Sequence, residues 1–447
     1  MKRWIASTLL LAALQAAAFA AFALDLQGHR GARGLAPENT LPGFAKALAI
    51  GVDTLETDIA VSRDGLLVIS HDPALNPDIT RGPDGQFLTA RGPLIWQTDF
   101  DALRRYDVGR LKPGTRYAGQ YPAQTAVDGA RLPTLAELFA LVKKSGNTSV
   151  RFALETKLTP MAPDDTMAPE PFARALIKAI REAGMAERSQ VLSFDWRTLQ
   201  IVQREAPEIA TVYLTAQQRW LDNVGADKPK ASAWTAGFKY ADHGSVPKLI
   251  KAAGGRIWSC FHGDLDAAKV REAKALGLTV LAWTVNEPVD IARALDLNVD
   301  GIVSDRPDRV AQKCSVAACL CRRARRSSRS EARLPCPLGC SAWWRRRRRE
   351  GEQQSFGPHD LKAHFAAEDQ QVGIAGHQGI GLARGGQVQE GQVEQVSAGR
   401  NSGRRLGHLN DQRVRQVVGE QFLLALRVES ELGVGQHAHQ FLRGDGA

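Results

Sequence analysis

Cysteine is scarce in this chain, which has six in 447 residues, and five of the six lie beyond residue 313. Cys260 is therefore alone in the first 313 residues, and a lone cysteine cannot close an internal bridge. This scarcity excludes a fold that depends on disulfides for that part of the chain.

A clear excess of one charge is also missing from most of the chain, although the formal net charge is +10. Residues 314–447 hold 20 Lys and Arg against 13 Asp and Glu, and the remainder holds 38 against 35. A nearly neutral segment lacks the basic field that attracts nucleic acid. We therefore expect no nucleic-acid partner for residues 1–313.

Long apolar runs are rare, and the one that matters lies at the start of the chain. Residues 1–23 comprise Met1-Lys2-Arg3, an Ala/Leu-rich run and Ala21-Phe22-Ala23. A basic start, an apolar middle and an Ala-x-Ala end predict a signal peptide cleaved after Ala23. The protein is then exported, periplasmic or secreted, with no stable membrane span after cleavage. The alternative is an uncleaved anchor, for which the run is short.

Residues 24–312 alternate short β-like runs with helical ones, as in a parallel α/β fold. Arg63-Asp64-Gly65 predicts a tight turn that pairs two of nine strands as a hairpin, which leaves eight βα units. Strands are predicted at 24–28, 54–60, 66–71, 149–156, 190–194, 210–214, 256–260, 279–285 and 301–304. Helices are predicted at 41–50, 135–144, 171–183, 196–205, 246–253, 265–276 and 288–295.

Two segments break the alternation. Residues 73–133 are rich in Gly, Pro, Asp, Arg and Tyr, which predicts a surface insertion at one rim, either covering substrate or without a role. Residues 314–447 contain five consecutive arginines and a single lysine, Lys362. This tail is a disordered basic segment, a small second domain, or the product of a shifted reading frame. The last interpretation is favoured because arginine replaces lysine so strongly.

Three carboxylates point to a metal. Glu56 and Asp58 are two apart in a predicted strand, so both side chains leave the same face, about 7 Å apart at Cα. Like charges held so close raise each other's pKa unless a cation separates them. Glu155 repeats the pattern and supplies a third ligand. Oxygen ligands favour Mg²⁺ or Ca²⁺ over Zn²⁺.

Cations and imidazoles accompany these carboxylates at predicted strand ends. Lys157 and Arg30, with the metal, favour an anion such as phosphate. His29 and His71 are two of only four histidines before the tail, and a neutral and a protonated imidazole suit acid–base cleavage of a phosphodiester. The alternative is that either histidine is a metal ligand or a structural donor.

In this ordered set of motifs the chain resembles the glycerophosphodiester phosphodiesterase family. The resemblance spans residues 24–312, and Ser304 and Asp305 fill positions that vary in the family. The motifs are His29-Arg30-Gly31, Pro37-Glu38-Asn39-Thr40, Phe44, residues 51–58, Asp64-Gly65, His71-Asp72, Glu155-x-Lys157, Ser193-Phe194, Trp283-Thr284-Val285-Asn286 and Asp300-Gly301-Ile302.

The resemblance implies a (β/α)₈ TIM barrel that uses one divalent cation, Ca²⁺ or Mg²⁺, to hydrolyse a glycerophosphodiester to sn-glycerol 3-phosphate and an alcohol. Trp283 is either an apolar wall for the glycerol or a core aromatic residue. The implied roles are an acid–base pair of His29 and His71, metal ligands Glu56, Asp58 and Glu155, phosphate contacts Arg30 and Lys157, and supporting residues Glu38 and Asn39.

Three other functions compete with this one, and the sequence predicts no oligomeric state. A phospholipase-like or lyase-type barrel would stop at a cyclic phosphate. An envelope protein could bind phosphodiesters without catalysis, although it would not need two proton-transfer groups. A nucleic-acid-binding protein would depend on the arginine-rich tail and lose its affinity with it.

Overall fold

The fold is a closed β-barrel surrounded by helices, seen in a computed structural model that describes residues 24–315. Strand β1 (Asp25–Gly28) pairs in parallel with both β2 (Thr54–Val61) and β9 (Gly301–Ser304), which closes the sheet. The predicted (β/α)₈ barrel is therefore confirmed. The other strands are β3 (Leu67–Ile69), β4 (Arg151–Thr156), β5 (Ser189–Ser193), β6 (Ala210–Thr215), β7 (Ile257–Phe261) and β8 (Thr279–Trp283).

Several helices begin where a side chain caps the first turn. Thr40 accepts from the Gly43 amide, and Thr134 and Glu137 form a reciprocal capping box. The helices are α1 (Leu41–Ile50), α2 (Phe100–Leu103), α3 (Arg116–Gln120), α4 (Leu135–Lys144), α5 (Pro169–Glu182), α6 (Trp196–Glu205), α7 (Val246–Ala252), α8 (Ala267–Ala275) and α9 (Pro288–Asp296), and residues 307–315 are also helical.

Two apolar layers hold the barrel together. The larger lies between the strands and the outer helices and includes Phe44, Phe152, Trp196 and Trp258. A smaller cluster inside the barrel consists of Ala153, Leu192, Val212, Leu214 and Leu281, with Phe194 and Trp283 packed against it. This inner cluster fills the barrel.

Strand β3 is the antiparallel exception, because it folds back on β2 in the predicted hairpin. Residues 73–133 cover this hairpin and have a separate core, so the predicted insertion is a packed structure rather than an extended loop. It contains the short helices α2 and α3. This core combines Ala60 and Val68 of the hairpin with Leu75, Ile95, Phe100, Leu103, Val108 and Leu132 of the insertion.

The turn after β1 depends on Gly31. Its φ is +84°, and a Cβ there would lie 2.7 Å from the carbonyl carbon of Gly43. A side chain at this position would therefore both strain the backbone and collide with α1. The Gly31 amide also bonds the carbonyl of Glu56 at 3.2 Å. This close approach fixes His29 and Arg30 over the end of β2.

The predictions for residues 1–23 and for residues 316–447 lie outside the described residues. Within residues 24–315, no helix combines the length and the apolar character that crossing a membrane requires. Leu24 is buried and β1 begins at the next residue, so the barrel starts directly after the predicted cleavage point.

Candidate active site

Three buried carboxylates meet where the middle of β2 lies beside the carboxyl end of β4. The register sets Asp58 beside Glu155, and Glu56 lies on the same face of β2 two residues earlier. One oxygen from each of the three side chains lies within 4.8 Å of the others. The structure thus brings together the three residues that the sequence nominates as metal ligands.

The environment of these carboxylates differs from one to the next. Burial, together with the charges of Asp58 and Glu155, raises the pKa of Glu56 well above its usual value. Burial also raises the pKa of Glu155, although Lys157 opposes it. For Asp58, burial is outweighed by the positive charges of nearby groups, so its pKa is held below its usual range. The cluster therefore crowds negative charge into a buried space.

A divalent cation fits this donor set. Oδ1 of Asp58 is buried and accepts no hydrogen bond among the described residues, and Nζ of Lys157 lies 3.6 Å from it. Three carboxylates offer oxygen donors alone, which hard cations such as Mg²⁺ and Ca²⁺ prefer. The residues that could hold the ion are Glu56, Asp58 and Glu155.

Arg30 and Lys157 surround the carboxylates with positive charge. Nη1 of Arg30 donates to Glu38 at 2.7 Å, and its Nε lies 3.3 Å from Asp58. Nζ of Lys157 donates to Glu155 at 2.8 Å. Burial would lower the pKa of both cations, but the adjacent carboxylates raise it, so both stay charged. Both line the central cavity, where an anion would meet them.

Glu38 and Asn39 support this arrangement from the loop before α1. Glu38 holds the guanidinium of Arg30, as described above. Nδ2 of Asn39 donates to Asp58 at 2.9 Å, and Oδ1 of Asn39 accepts from Thr57 at 3.0 Å. The amide therefore orients one oxygen of Asp58 and leaves the other for a ligand.

His29 is held by a carboxylate from the opposite end of the chain. Its Nδ1 lies 2.6 Å from Oδ1 of Asp305, and its Nε2 lies 3.9 Å from Glu56. Burial would raise the pKa of Asp305, but Arg33 and His29 keep it well below its usual range, so Asp305 is an ionised acceptor. The contact with Asp305 favours the tautomer that carries the proton on Nδ1, and Nε2 faces the carboxylate cluster. Burial lowers the pKa of His29, although Asp305 opposes this.

His71 has a carboxylate partner as well. Its Nδ1 lies 2.7 Å from Oδ1 of Asp72, whose other oxygen accepts from Asn76 at 2.7 Å. Burial, reinforced by the charges of Arg30 and Lys157, lowers the pKa of His71 well below its usual value. Both histidines therefore use Nδ1 for a fixed contact and keep Nε2 for other chemistry.

One cavity of about 470 Å³ joins these groups. His29 and His71 line it together with Glu56 and Glu155, and its far side is apolar. Trp283 belongs to that apolar side and also packs against the inner cluster of the barrel, so its position suits both roles that the sequence left open, and contact with the glycerol stays a prediction.

Sequence reasoning gave no site role to four residues that shape the site. Asp305, assigned to a variable position, binds His29, and Arg33 and Asn286 bind Asp305. Tyr117 reaches in from the insertion to Glu38. Asp305 was detectable in principle, because Gly28 pairs with Ser304 and the next residues on these strands are His29 and Asp305. No comparable signal marks Tyr117.

Comparison with known proteins agrees with this geometry. The model of the glycerophosphoryl diester phosphodiesterase family matches residues 29–309. The chain belongs to this family. The matched segment runs from His29 past the end of β9, so it includes every residue of the site described above. Family membership also favours an enzyme over a phosphodiester-binding protein.

Curated members of the family align over most of their own length. A glycerophosphodiester phosphodiesterase of Caldanaerobacter subterraneus subsp. tengcongensis is 26% identical over 280 residues, which cover 63% of this chain and 93% of that protein. A Bacillus subtilis enzyme of the same name is 27% identical over 287 residues, covering 63% and 83%. The chain is therefore an enzyme that hydrolyses glycerophosphodiesters.

Solved structures of the family share the fold. A crystal structure from Silicibacter pomeroyi, assigned to the glycerophosphoryl diester phosphodiesterases, is 35% identical with a TM-score of 0.59, and the match covers 65% of this chain and 92% of that one. A second such structure, from Agrobacterium tumefaciens, has 22% identity and a TM-score of 0.50, with 66% and 98% covered. At this lower identity the likeness concerns the fold alone.

Proposed function

We propose that His29 and His71 are the general acid–base pair of this phosphodiesterase, and that Glu56, Asp58 and Glu155 hold one Ca²⁺ or Mg²⁺. The products are sn-glycerol 3-phosphate and an alcohol. One observation carries the proposal: both imidazoles line the cavity that contains the carboxylate cluster, and each has its Nδ1 engaged by a separate carboxylate. Two oriented imidazoles suit paired proton transfer.

The proton transfers balance in two steps. In the first, one histidine removes the proton of the glycerol 2-hydroxyl as its oxygen bonds to phosphorus, and the other protonates the alcohol oxygen as the second ester bond breaks. In the second, the histidines exchange roles: one removes a proton from water as its oxygen bonds to phosphorus, and the other protonates the glycerol 2-oxygen as its bond to phosphorus breaks. Each histidine thus returns to its starting protonation state.

The remaining residues bind and orient. Arg30 and Lys157 contact the unesterified oxygens of the phosphate, and Glu38 and Asn39 hold Arg30 and Asp58 in place. When bound, the divalent ion supplies positive charge that stabilises the phosphate oxygens as their negative charge increases. Arg30 is buried and Lys157 is half-buried, and limited access of water strengthens their effect on a phosphate.

The test follows glycerophosphocholine by ³¹P NMR with the full chain. We expect glycerol 3-phosphate from the wild type, and a loss of about 100-fold or more in His29→Ala and in His71→Ala. His262→Ala is the matched control, because His262 lies near Asp290 and outside the lining of the cavity. EDTA should stop the reaction, and added Ca²⁺ or Mg²⁺ should restore it, which also identifies the preferred ion.

Two results would change the proposal. Full activity in both histidine variants would contradict the proposal that His29 and His71 are the acid–base pair. A cyclic phosphate that accumulates and persists would instead favour the lyase-type reaction, in which the second step does not take place.

We also propose export to the periplasm or the medium. The three-part pattern of residues 1–23 supports it, as does a barrel that begins directly after Ala23. Amino-terminal sequencing of the protein recovered from cell fractions tests this proposal. A mature chain that begins at Leu24 is expected outside the cytoplasm, and an intact Met1 start on a cytoplasmic protein would contradict it.

A further inference from the structure

The apolar side of the cavity is a cluster of aromatic rings. Trp283 is its centre, with ring centroids 5.3 Å from Phe194, 5.6 Å from Phe261 and 6.1 Å from Trp220. Nε1 of Trp283 donates to the carbonyl of Ser259 at 3.2 Å, so its one polar atom is already bonded. We call the four rings Phe194, Trp220, Phe261 and Trp283 the aromatic wall.

The wall is continuous with the catalytic groups. Phe194, Trp220 and Trp283 line the same cavity as His29 and His71. Cavities of about 300–1,000 Å³ enclose drug-sized ligands, and a glycerophosphate group is smaller than these. The cavity of about 470 Å³ therefore has room for a further substituent beside the scissile phosphate.

Trp220 is unusual because it is 60% exposed although it lies at the cavity. Its indole contacts Phe261 at 5.5 Å between centroids, so the exposed ring extends the wall outward. Exposed apolar area of this kind is covered favourably by an apolar ligand. The adjoining lining residues Leu192, Leu214 and Leu221 are apolar too.

Charge decides which ligand group suits the wall. Aromatic rings also bind quaternary ammonium groups, so a choline headgroup is the competing ligand. Here, however, Nζ of Lys157 already lies 6.0 Å from the centroid of Phe194. The carboxylates among the described lining residues are Glu56, Asp72 and Glu155, which stand at the catalytic end. A cationic group on the wall would be repelled by the charge of Lys157, and none of the four wall residues is a carboxylate that could balance it. A neutral group meets no such repulsion.

We infer that the aromatic wall binds a neutral apolar substituent of the diester, such as an alkyl or acyl chain, and thereby sets the substrate preference. This inference rests on the proposed function, since it concerns the same cavity. The substituent can be attached to the alcohol or to the glycerol, and both sources share the same chemistry.

The experiment compares three diesters with the full chain: glycerophosphocholine, the hexyl ester of glycerol phosphate, and 1-hexanoyl-glycerophosphocholine. We expect at least one hexyl-type diester to exceed glycerophosphocholine about tenfold in kcat/KM, because the chain covers exposed aromatic area. Trp220→Ala should lower kcat/KM for that hexyl-type diester about tenfold more than it lowers kcat/KM for glycerophosphocholine. The hexyl-type diester whose kcat/KM exceeds that of glycerophosphocholine shows whether the chain is attached to the alcohol or to the glycerol.

Two further variants sharpen the comparison. Trp220→Glu places a carboxylate on the wall, so it should weaken the hexyl-type diesters and favour glycerophosphocholine. Val289→Ala is the control, because Val289 is 74% exposed and does not line the cavity. It should leave all three substrates unchanged.

Binding separates this inference from the proposed function. Hexyl phosphate should bind the full chain more tightly than phosphocholine by calorimetry, and Trp220→Ala should erase the difference, whether or not any diester turns over. If no diester is turned over but this binding result is obtained, the proposed function is contradicted and the inference about the aromatic wall is supported. Equal binding of the two phosphates, or a loss in Trp220→Ala confined to glycerophosphocholine, would overturn the inference.

Discussion

The phenol of Tyr117, in the insertion, donates a hydrogen bond to the carboxylate of Glu38 at the mouth of the barrel. The same hydroxyl accepts from Nη1 of Arg33 at 3.2 Å. Glu38 accepts a hydrogen bond from Arg30, which lies beside the carboxylate cluster. Arg33 donates to Asp305, which in turn contacts His29. One side chain from the insertion is thus bonded to both halves of the catalytic site.

Tyr117→Phe should therefore lower activity without unfolding the protein. Loss of one partly buried hydrogen bond costs about 1 kcal/mol of stability, and a displaced Arg30 or His29 should lower kcat about tenfold. Steady-state kinetics and thermal denaturation measure the two effects. The control is Tyr121→Phe, since Tyr121 contacts Arg33 through its ring, 4.8 Å from the guanidinium carbon. Equal effects of the two substitutions would contradict the role of the Tyr117 hydroxyl.

Asp305→Asn should impair catalysis far more than folding. The amide cannot hold the Nδ1 proton of His29 as an ionised carboxylate does, so we expect kcat to fall about 100-fold or more. Asp290→Asn is the matched control, because Asp290 lies 3.8 Å from His262 outside the cavity lining. Its activity should stay near the wild-type value. A mild Asp305→Asn phenotype would mean that His29 does not need this partner.

A good leaving group should identify the general acid. The variants His29→Ala and His71→Ala are compared on glycerophosphocholine and on the p-nitrophenyl ester of glycerol phosphate. Because p-nitrophenolate leaves without a proton, the variant that lacks the acid should recover about 100-fold on the second substrate. The variant that lacks the base should not. Equal recovery in both would argue against separate acid and base roles.

Removal of divalent metal should lower thermal stability as well as activity. An ion held by Glu56, Asp58 and Glu155 binds the folded chain, so at 100 times its dissociation constant it stabilises by about 2.7 kcal/mol. For a barrel of this size we expect Tm to rise by about 5 °C on addition of Ca²⁺ or Mg²⁺ to EDTA-treated protein. Asp58→Asn should abolish this rise. Asp99→Asn, at a surface pair with Arg63, should keep it.

Alkaline pH should reveal the buried tyrosines. Burial raises the pKa of Tyr121 to about 12, and it also raises the pKa of Tyr117 and of Tyr213. A folded-state pKa above the unfolded value of about 10 stabilises the fold fully below pH 10, and this contribution is lost as pH rises through the folded pKa. Absorbance at 295 nm should therefore show these three phenols ionising only with alkaline unfolding. Ionisation of all five tyrosines near pH 10 in folded protein would contradict this.

The sequence was most informative where local chemistry determines structure. The bounds of α1, α4 and α6 were predicted to the residue, because Thr40, Thr134 and Asp195 provide their caps. The hairpin of β2 and β3 followed from its turn. The convergence of Glu56, Asp58 and Glu155 followed from strand spacing, since parallel strands bring their carboxyl ends to one rim.

Short helices and contacts between residues far apart in the sequence could not be predicted. Helices α2 and α3 have four and five residues, too few for a periodic pattern to emerge. Tyr117 contacts Glu38 across 79 positions of sequence, and spacing along the chain carries no signal over that distance. Arg33 was passed over because its partner Asp305 stands 272 positions away.

The contact between His29 and Asp305 joins the first and last strands of the barrel, 276 positions apart. The role that we propose for His29 therefore depends on a residue that follows the last strand of the barrel. A polypeptide that ends before β9 has the carboxylate cluster and both histidines in its sequence, yet it lacks the group that orients His29. If His29 acts as proposed, a diester would be turned over only after β9 has paired with β1, so turnover would report closure of the barrel.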